Sequence, residues 1–164
     1  MTSNLADITL RQRTVVQLLS PGTGGVRDYA EGLSRHWQAS GMTDHPLSFS
    51  QEDARQQPLA TRLKQLIETQ GRPCTLLLHY SGYGFQARGI CFWLLPQIDR
   101  ARQCLGRDLR IVTVFHELFA SGPPWGSAFW LSGVQAWIAA AIARRSDALW
   151  TNTELHRRWL ADRV

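Results

Sequence analysis

The residues best suited to chemistry fall in clusters that lie far apart in the chain. The first is the turn Ser20-Pro21-Gly22-Thr23-Gly24-Gly25-Val26-Arg27, between an apolar run at 14–19 and a helical pattern from Val26. A glycine turn between strand and helix lets backbone amides approach a ligand, and the helix amino end adds a dipole favouring an anion. Gly24, Gly25 and Arg27 are therefore candidate contacts for a phosphate or a sugar hydroxyl. A tight turn needing positive φ would account for the same glycines without a ligand. Arg27 stands where a dinucleotide fingerprint needs its third glycine, and no Gly-Lys-Ser/Thr follows to make a P-loop.

The second cluster is the run 110–115 ending in His116-Glu117. A histidine at a strand end is placed for catalysis or for orienting a substrate, and His116 is the candidate catalytic residue. Bonding of its ring to a backbone carbonyl, as a structural histidine, is the alternative. Glu117 is suited to accepting hydrogen bonds from sugar hydroxyls or orienting the imidazole. Position 120 is Ala, so the zincin pair of histidines is absent. A third element, Leu76-Leu77-Leu78-His79-Tyr80-Ser81-Gly82-Tyr83-Gly84, again runs from apolar residues into polar ones and glycines. It is faintly similar to the oxyanion turn of α/β-hydrolases, which supplies an enzyme alternative. No G-x-S-x-G nucleophile elbow accompanies it.

The elements that must position these residues alternate. Runs at 14–19, 75–80, 110–115 and 148–151 read as strands, with a weaker one at 46–50. They hardly alternate in polarity, as expected of strands covered on both faces. Helical patterns span 26–39, 54–70, 89–104, 127–145 and 153–162, with Asp53 as a helix N-cap and Gly41 and Gly71 as stops. The repeat of about 30–35 residues suits β-α crossovers in one domain over 1–164. In the glycine- and proline-rich loop 119–126, Trp125 with Phe129 and Trp130 is suited to form an apolar wall for a sugar or lipid. Trp130, Val134, Trp137, Ile138 and Ala141 follow helical spacing and predict a buried helix face.

Composition narrows the class. Hydrophobic residues make up 44% and charged residues 19%, which are globular values. The net charge of +5 comes from dispersed arginines rather than a basic block, so nucleic acid is not expected as a partner. Solvated helix faces explain the arginines, as does attraction to substrate phosphates or to an anionic membrane surface. Cys74, Cys91 and Cys104 are odd in number and form no C-x-x-C, which fits a reducing cytoplasm and argues against a zinc site. The first thirteen residues lack the apolar core of a signal peptide. The most apolar stretch, 129–143, is shorter than the ~20 residues that a membrane span needs.

The order Gly24-Gly25-Val26-Arg27-Asp28-Tyr29, then His79, then Val112-Thr113-Val114-Phe115-His116-Glu117, then Ser146 to Thr153, resembles the amino-terminal domain of family 4 glycosyltransferases. The likeness runs from Thr14 to about Arg163. It implies an α/β three-layer, Rossmann-like domain with a mainly parallel sheet, one half of a GT-B fold. It further implies a retaining transfer of a sugar from a nucleotide diphosphate to an acceptor hydroxyl, with no cofactor. On this resemblance Gly24, Gly25 and Arg27 lie beside the diphosphate and acceptor, and His79 and Tyr80 line the acceptor side. His116 sits near the transferred sugar, and Asn152 faces the cleft. The family's carboxyl-terminal, nucleotide-sugar domain and its acidic E-x₇-E pattern have no counterpart here. The expectation is therefore a fragment or stand-alone domain, inactive without its second half, in the cytoplasm with a peripheral membrane contact. A non-catalytic Rossmann-like binding or interaction module is the further alternative.

Overall fold

The computed structural model describes residues 13–119 and 127–164, with the side chains of 127–129 left aside. Trp125 and the Phe129 side chain of the expected apolar wall lie outside the described residues. Five strands form one sheet: β1 (Thr14–Leu19), β2 (Asp44–Ser48), β3 (Cys74–Tyr80), β4 (Leu109–Phe115) and β5 (Ala148–Thr151). Their order is β2-β1-β3-β4-β5 and every pairing is parallel. The domain is α/β and Rossmann-like, as the alternation of the sequence predicts.

The helices follow from the direction of each crossover. The step from β1 to β2 runs one way across the sheet, and all later steps run the other way. Right-handed connections then put the first helix on one face and the later ones on the opposite face. Accordingly α1 (Gly25–Ala39) covers one face, where Trp37 packs with Val15, Leu77, Val112 and Val114. The other face is covered by α3 (Leu59–Gln70), α5 (Leu94–Leu105) and α6 (Ser127–Ala143), and holds the larger core. Val16, Leu18, Leu76, Leu78 and Ile111 point there. β1 and β3 are buried along their whole length, which explains their unbroken apolar character.

Several expectations are corrected. The pattern at 54–70 is two helices, α2 (Gln51–Gln56) and α3, separated by the extended Gln57 before Pro58. Proline disfavours the helical region for the residue before it, so the break has a local cause. Asp53 is not an N-cap. Ser50 is, and Asp53 closes the capping box from the third helical position. The pattern at 89–104 begins instead with the short helix α4 (Gly82–Phe85), a 3₁₀ turn at Ala87–Gly89, and then α5. The weaker strand lies at Asp44–Ser48 rather than 46–50. The last helix, α7 (Glu154–Ala161), is capped by Thr153, whose hydroxyl accepts from the amide of His156.

The tryptophan stripe of α6 is also corrected. Ile138 and Ala141 are buried, but Trp130 is 73% exposed and Trp137 53%. The helix turns Ala139, Ala140, Ile142 and Ala143 inward as well, so its buried face is mostly alanine and isoleucine. The indoles stay outside, Trp137 resting on Phe92 with ring centroids 5.8 Å apart. The two sides of this helix should respond differently to truncation. Ile138→Ala should cost about 2–5 kcal/mol in chemical denaturation. Trp137→Ala should cost about 1 kcal/mol or less, and equal losses would contradict the assigned faces.

Candidate functional site

All five strands end at one edge, so the loops after β1, β3, β4 and β5 share a rim. The strand order reverses direction between β1 and β3. In open α/β sheets the crevice outside the carboxyl ends at such a switch point is where ligands bind. A groove of about 180 Å³ lies there, lined by residues 19–27 together with Ser81 and Gly84.

The glycine turn forms one wall. Gly22 and Gly24 have φ of 107° and 131°, which only glycine adopts without strain. Gly25 is already the first residue of α1, with open space where a Cβ would sit. The conformational demand therefore falls on Gly22 and Gly24, not on Gly25. Gly24 caps α1 through its carbonyl, which accepts from the amides of Arg27 and Asp28. No side chain caps the helix, and the amides of Gly25 and Val26 have no hydrogen-bond partner among the described residues. Arg27 folds back, its Nε donating to the Gly22 carbonyl at 2.7 Å, and so braces the turn. Gly84 is fixed by crowding, since a Cβ there would come within 2.4 Å of the Ser20 hydroxyl.

His116 follows β4 and its amide donates to the Tyr80 carbonyl at 3.0 Å, which extends the ladder by one residue. Its ring is half-buried, and its Nε2 lies 3.1 Å from Nδ1 of His79. The two imidazoles stack at an interplanar angle of 21°, and Tyr29 from α1 meets both edge-on. Behind them Nε2 of His79 lies 2.7 Å from Oε1 of Gln17. The Gln17 amide donates to Ala30 O at 3.1 Å, Ser34 Oγ at 2.8 Å and Asp44 Oδ2 at 2.6 Å. Ser34 also donates to the same Asp44 oxygen at 2.7 Å. The register explains the line: Gln17 pairs with Leu77, two residues before His79, and His79 pairs with Val114, two residues before His116. Each step across a strand thus moves two residues toward the rim on one face.

Two expected contact residues are corrected here. His79 and Tyr80 are both fully buried, so neither side chain lines the rim. Tyr80 points to the opposite face, meets Phe115 edge-on and brings its hydroxyl within 4.0 Å of Cys91 Sγ. His79 lies behind His116 instead. Glu117 is exposed and accepts from Ser81 Oγ at 2.8 Å. That pair separates the switch-point groove from a second cavity of about 200 Å³, to which Glu117, Tyr83, Phe119, Gln135 and His156 contribute. Gln135, which is buried, donates to the carbonyl of Arg88, the one non-glycine residue with positive φ among those described. Asn152 is exposed just after β5, on the same rim.

No family model matches the chain, and no curated protein matches it. The site therefore rests on its own geometry. Among the described residues no group of three or more His, Cys, Asp and Glu side chains is placed to hold a metal ion. None of the described helices is long and apolar enough to cross a membrane.

Gln17, Ser34, Asp44, Tyr29 and Ser81 escaped the sequence reading. Only Gln17 carried a signal, as the one amide within the run TVVQLL.

Burial governs the titration of the relay. It lowers His79 from the ordinary histidine value to about 3, with the neighbouring His116 adding to the shift. His116 is lowered too, chiefly by burial, with the Glu117 carboxylate opposing. An unfolded imidazole takes up its proton near pH 6.5, while folded His79 resists until about 3. The unfolded state then binds more protons across that window, so stability is full above pH 6.5 and falls as pH falls. Denaturant titrations should show stability dropping between pH 7 and pH 5, approaching about 1.4 kcal/mol per pH unit for each such histidine. His79→Gln should flatten that slope, and a wild-type stability unchanged at pH 5 would contradict the burial of a neutral relay.

Proposed function

We propose that this chain is the acceptor-side half of a retaining glycosyltransferase that moves a sugar from a nucleotide diphosphate to an acceptor hydroxyl. The observation that supports this reading best is the common edge shared by the open amides at the head of α1 and the half-buried His116, beside the β1/β3 switch point. A departing diphosphate gathers negative charge, and preorganised amides at a helix amino end favour that charge. His116 and Glu117 provide hydrogen-bonding groups for sugar hydroxyls next to it. Arg27 braces the turn rather than meeting the ligand through Nε, and Asn152 extends the polar rim.

A second Rossmann-like domain would complete the site and bring most of the affinity for the nucleotide sugar. The test is a transfer assay with a panel of nucleotide diphosphate sugars and acceptors. It compares the chain alone with a polypeptide in which the chain is joined to a nucleotide-sugar-binding domain. The two-domain protein should transfer with retention, and the chain alone should not. His116→Ala in the two-domain protein should lower the rate about 10²–10³-fold, as loss of a preorganised transition-state contact does, and far more than the modest fall in melting temperature that follows from leaving His79 Nδ1 without its donor. Transfer by the chain alone, or a wild-type rate in His116→Ala, would overturn the reading. Ester hydrolysis by the chain would favour the hydrolase alternative.

The exposed Trp130, Trp137 and Phe92, with the arginine excess, support a peripheral contact with an anionic membrane surface as part of the same proposal. Vesicle sedimentation should require anionic lipid and weaken with salt. Equal sedimentation with neutral vesicles, or none with either, would reject it.

A further inference from the structure

Gln17 has no obvious reason to be buried in the middle of a central strand. It is fully buried and its neighbours along β1 are apolar. An unmet amide there would be strongly destabilising, and its oxygen faces His79, which in turn contacts His116.

Two of the groups around the Gln17 nitrogen accept only: the carbonyl of Ala30 and the carboxylate of Asp44. That end of the amide must therefore be the NH₂, and the end facing His79 must be Oε1, an acceptor. His79 Nε2, at 2.7 Å from it, must carry the proton and donate. A neutral His79 then has a bare Nδ1, which accepts only. His116 Nε2, at 3.1 Å, must supply the proton for that contact. A neutral His116 is consequently protonated on Nε2 and bare on Nδ1. Among the described residues His116 Nδ1 has no hydrogen-bond partner.

We propose that Gln17 is a positioning residue that, through His79, locks His116 in the Nε2–H tautomer and offers Nδ1 as an acceptor to a ligand hydroxyl. The inference rests on the proposed function only for the identity of that hydroxyl, a sugar or acceptor O–H. The tautomer itself follows from the buried chain of bonds. When a ligand hydroxyl donates to Nδ1, the positive character gained by the ring is shared through Nε2–H with His79 Nδ1. Asp44, bonded to both Gln17 and Ser34, anchors the far end of the chain and keeps the Gln17 amide from flipping. Ser34 in turn fastens the chain to α1, so that the helix carrying the glycine turn and the strand leading to His116 share one buried connection.

Imidazole nitrogen NMR on the ¹⁵N-histidine-labelled chain at pH 7.5 reads the tautomer directly. The wild type should show His116 with a protonated Nε2 and an unprotonated Nδ1, and His79 with the same pattern. A wild-type His116 protonated on Nδ1 would overturn the proposal without any variant. Gln17→Met removes the acceptor at nearly constant length, which frees His79 to turn its proton toward His116. The His116 signals should then shift to the Nδ1–H form or to an average of the two. Gln17→Glu, protonated and donating its O–H to Asp44 Oδ2 in place of the amide N–H, keeps an acceptor facing His79 and should retain the wild-type pattern. A folded Gln17→Met with unchanged His116 signals would overturn the positioning role, and the wild-type spectrum decides the tautomer if that variant does not fold. In the two-domain transfer assay, Gln17→Met should lower kcat about tenfold and Gln17→Glu should restore most of it. A confirmed tautomer without any transfer activity would leave the positioning intact and reject the glycosyltransferase reading alone.

Discussion

The contact between Gln17 and His79 is the constraint from which the rim takes its shape. It joins polar side chains of two central strands beside Val15, Leu77, Val112 and Val114 on the same face. Burying an amide and an imidazole is unfavourable unless each is hydrogen-bonded, so the group survives only as a connected whole. Ser34 and Asp44 complete it on the inner side, and His116 completes it at the edge. The register converts that buried line into a direction, because each strand crossed moves the line two residues closer to the carboxyl edge. The result is a histidine at the rim whose ring is held from behind by groups that no ligand touches.

The glycine turn is held by different physics. Its shape comes from positive φ at Gly22 and Gly24 and from the Arg27 side chain bonded to the Gly22 carbonyl. Its chemistry comes from helix α1, where the amides of Gly25 and Val26 have no hydrogen-bond partner among the described residues. The turn lies at the switch point, where the strand order reverses between β1 and β3, and His116 shares its edge at the end of β4, with Tyr29 of α1 against its ring. Topology brings the two constellations together, and the buried relay ties them mechanically through Ser34 on α1.

Much of the fold was legible in the residues. β1 and β5 have the expected bounds, since apolar runs edged by glycine, proline or polar residues leave little choice. The break at Pro58 was readable from the restriction that proline places on Gln57, yet the apolar periodicity on either side masks it. The faces of α6 were less legible. Apolar residues recur at helical spacing on more than one face there, and only the tertiary packing selects the face of alanines and isoleucines over the tryptophans. In the site, positions at strand ends were readable because a change from apolar to polar residues marks the rim. Depth was not. His79 and Tyr80 are consecutive at the end of one strand, and their burial depends on what α1 and the opposite core place over each face. The role of Gln17 needed the register of three strands, which no local pattern contains.

In the proposed function, one ligand site spans the head of α1 and His116. Chemical-shift mapping of the labelled chain against millimolar nucleotide diphosphate sugars addresses that claim most directly. Concerted shifts are expected at the amides of Gly24, Gly25, Val26 and Arg27 and at the ring of His116, all saturating with one affinity. Shifts confined to the arginine-lined groove around Arg13, Arg102, Arg107 and Arg110 would contradict it. So would separate affinities for the turn and the histidine.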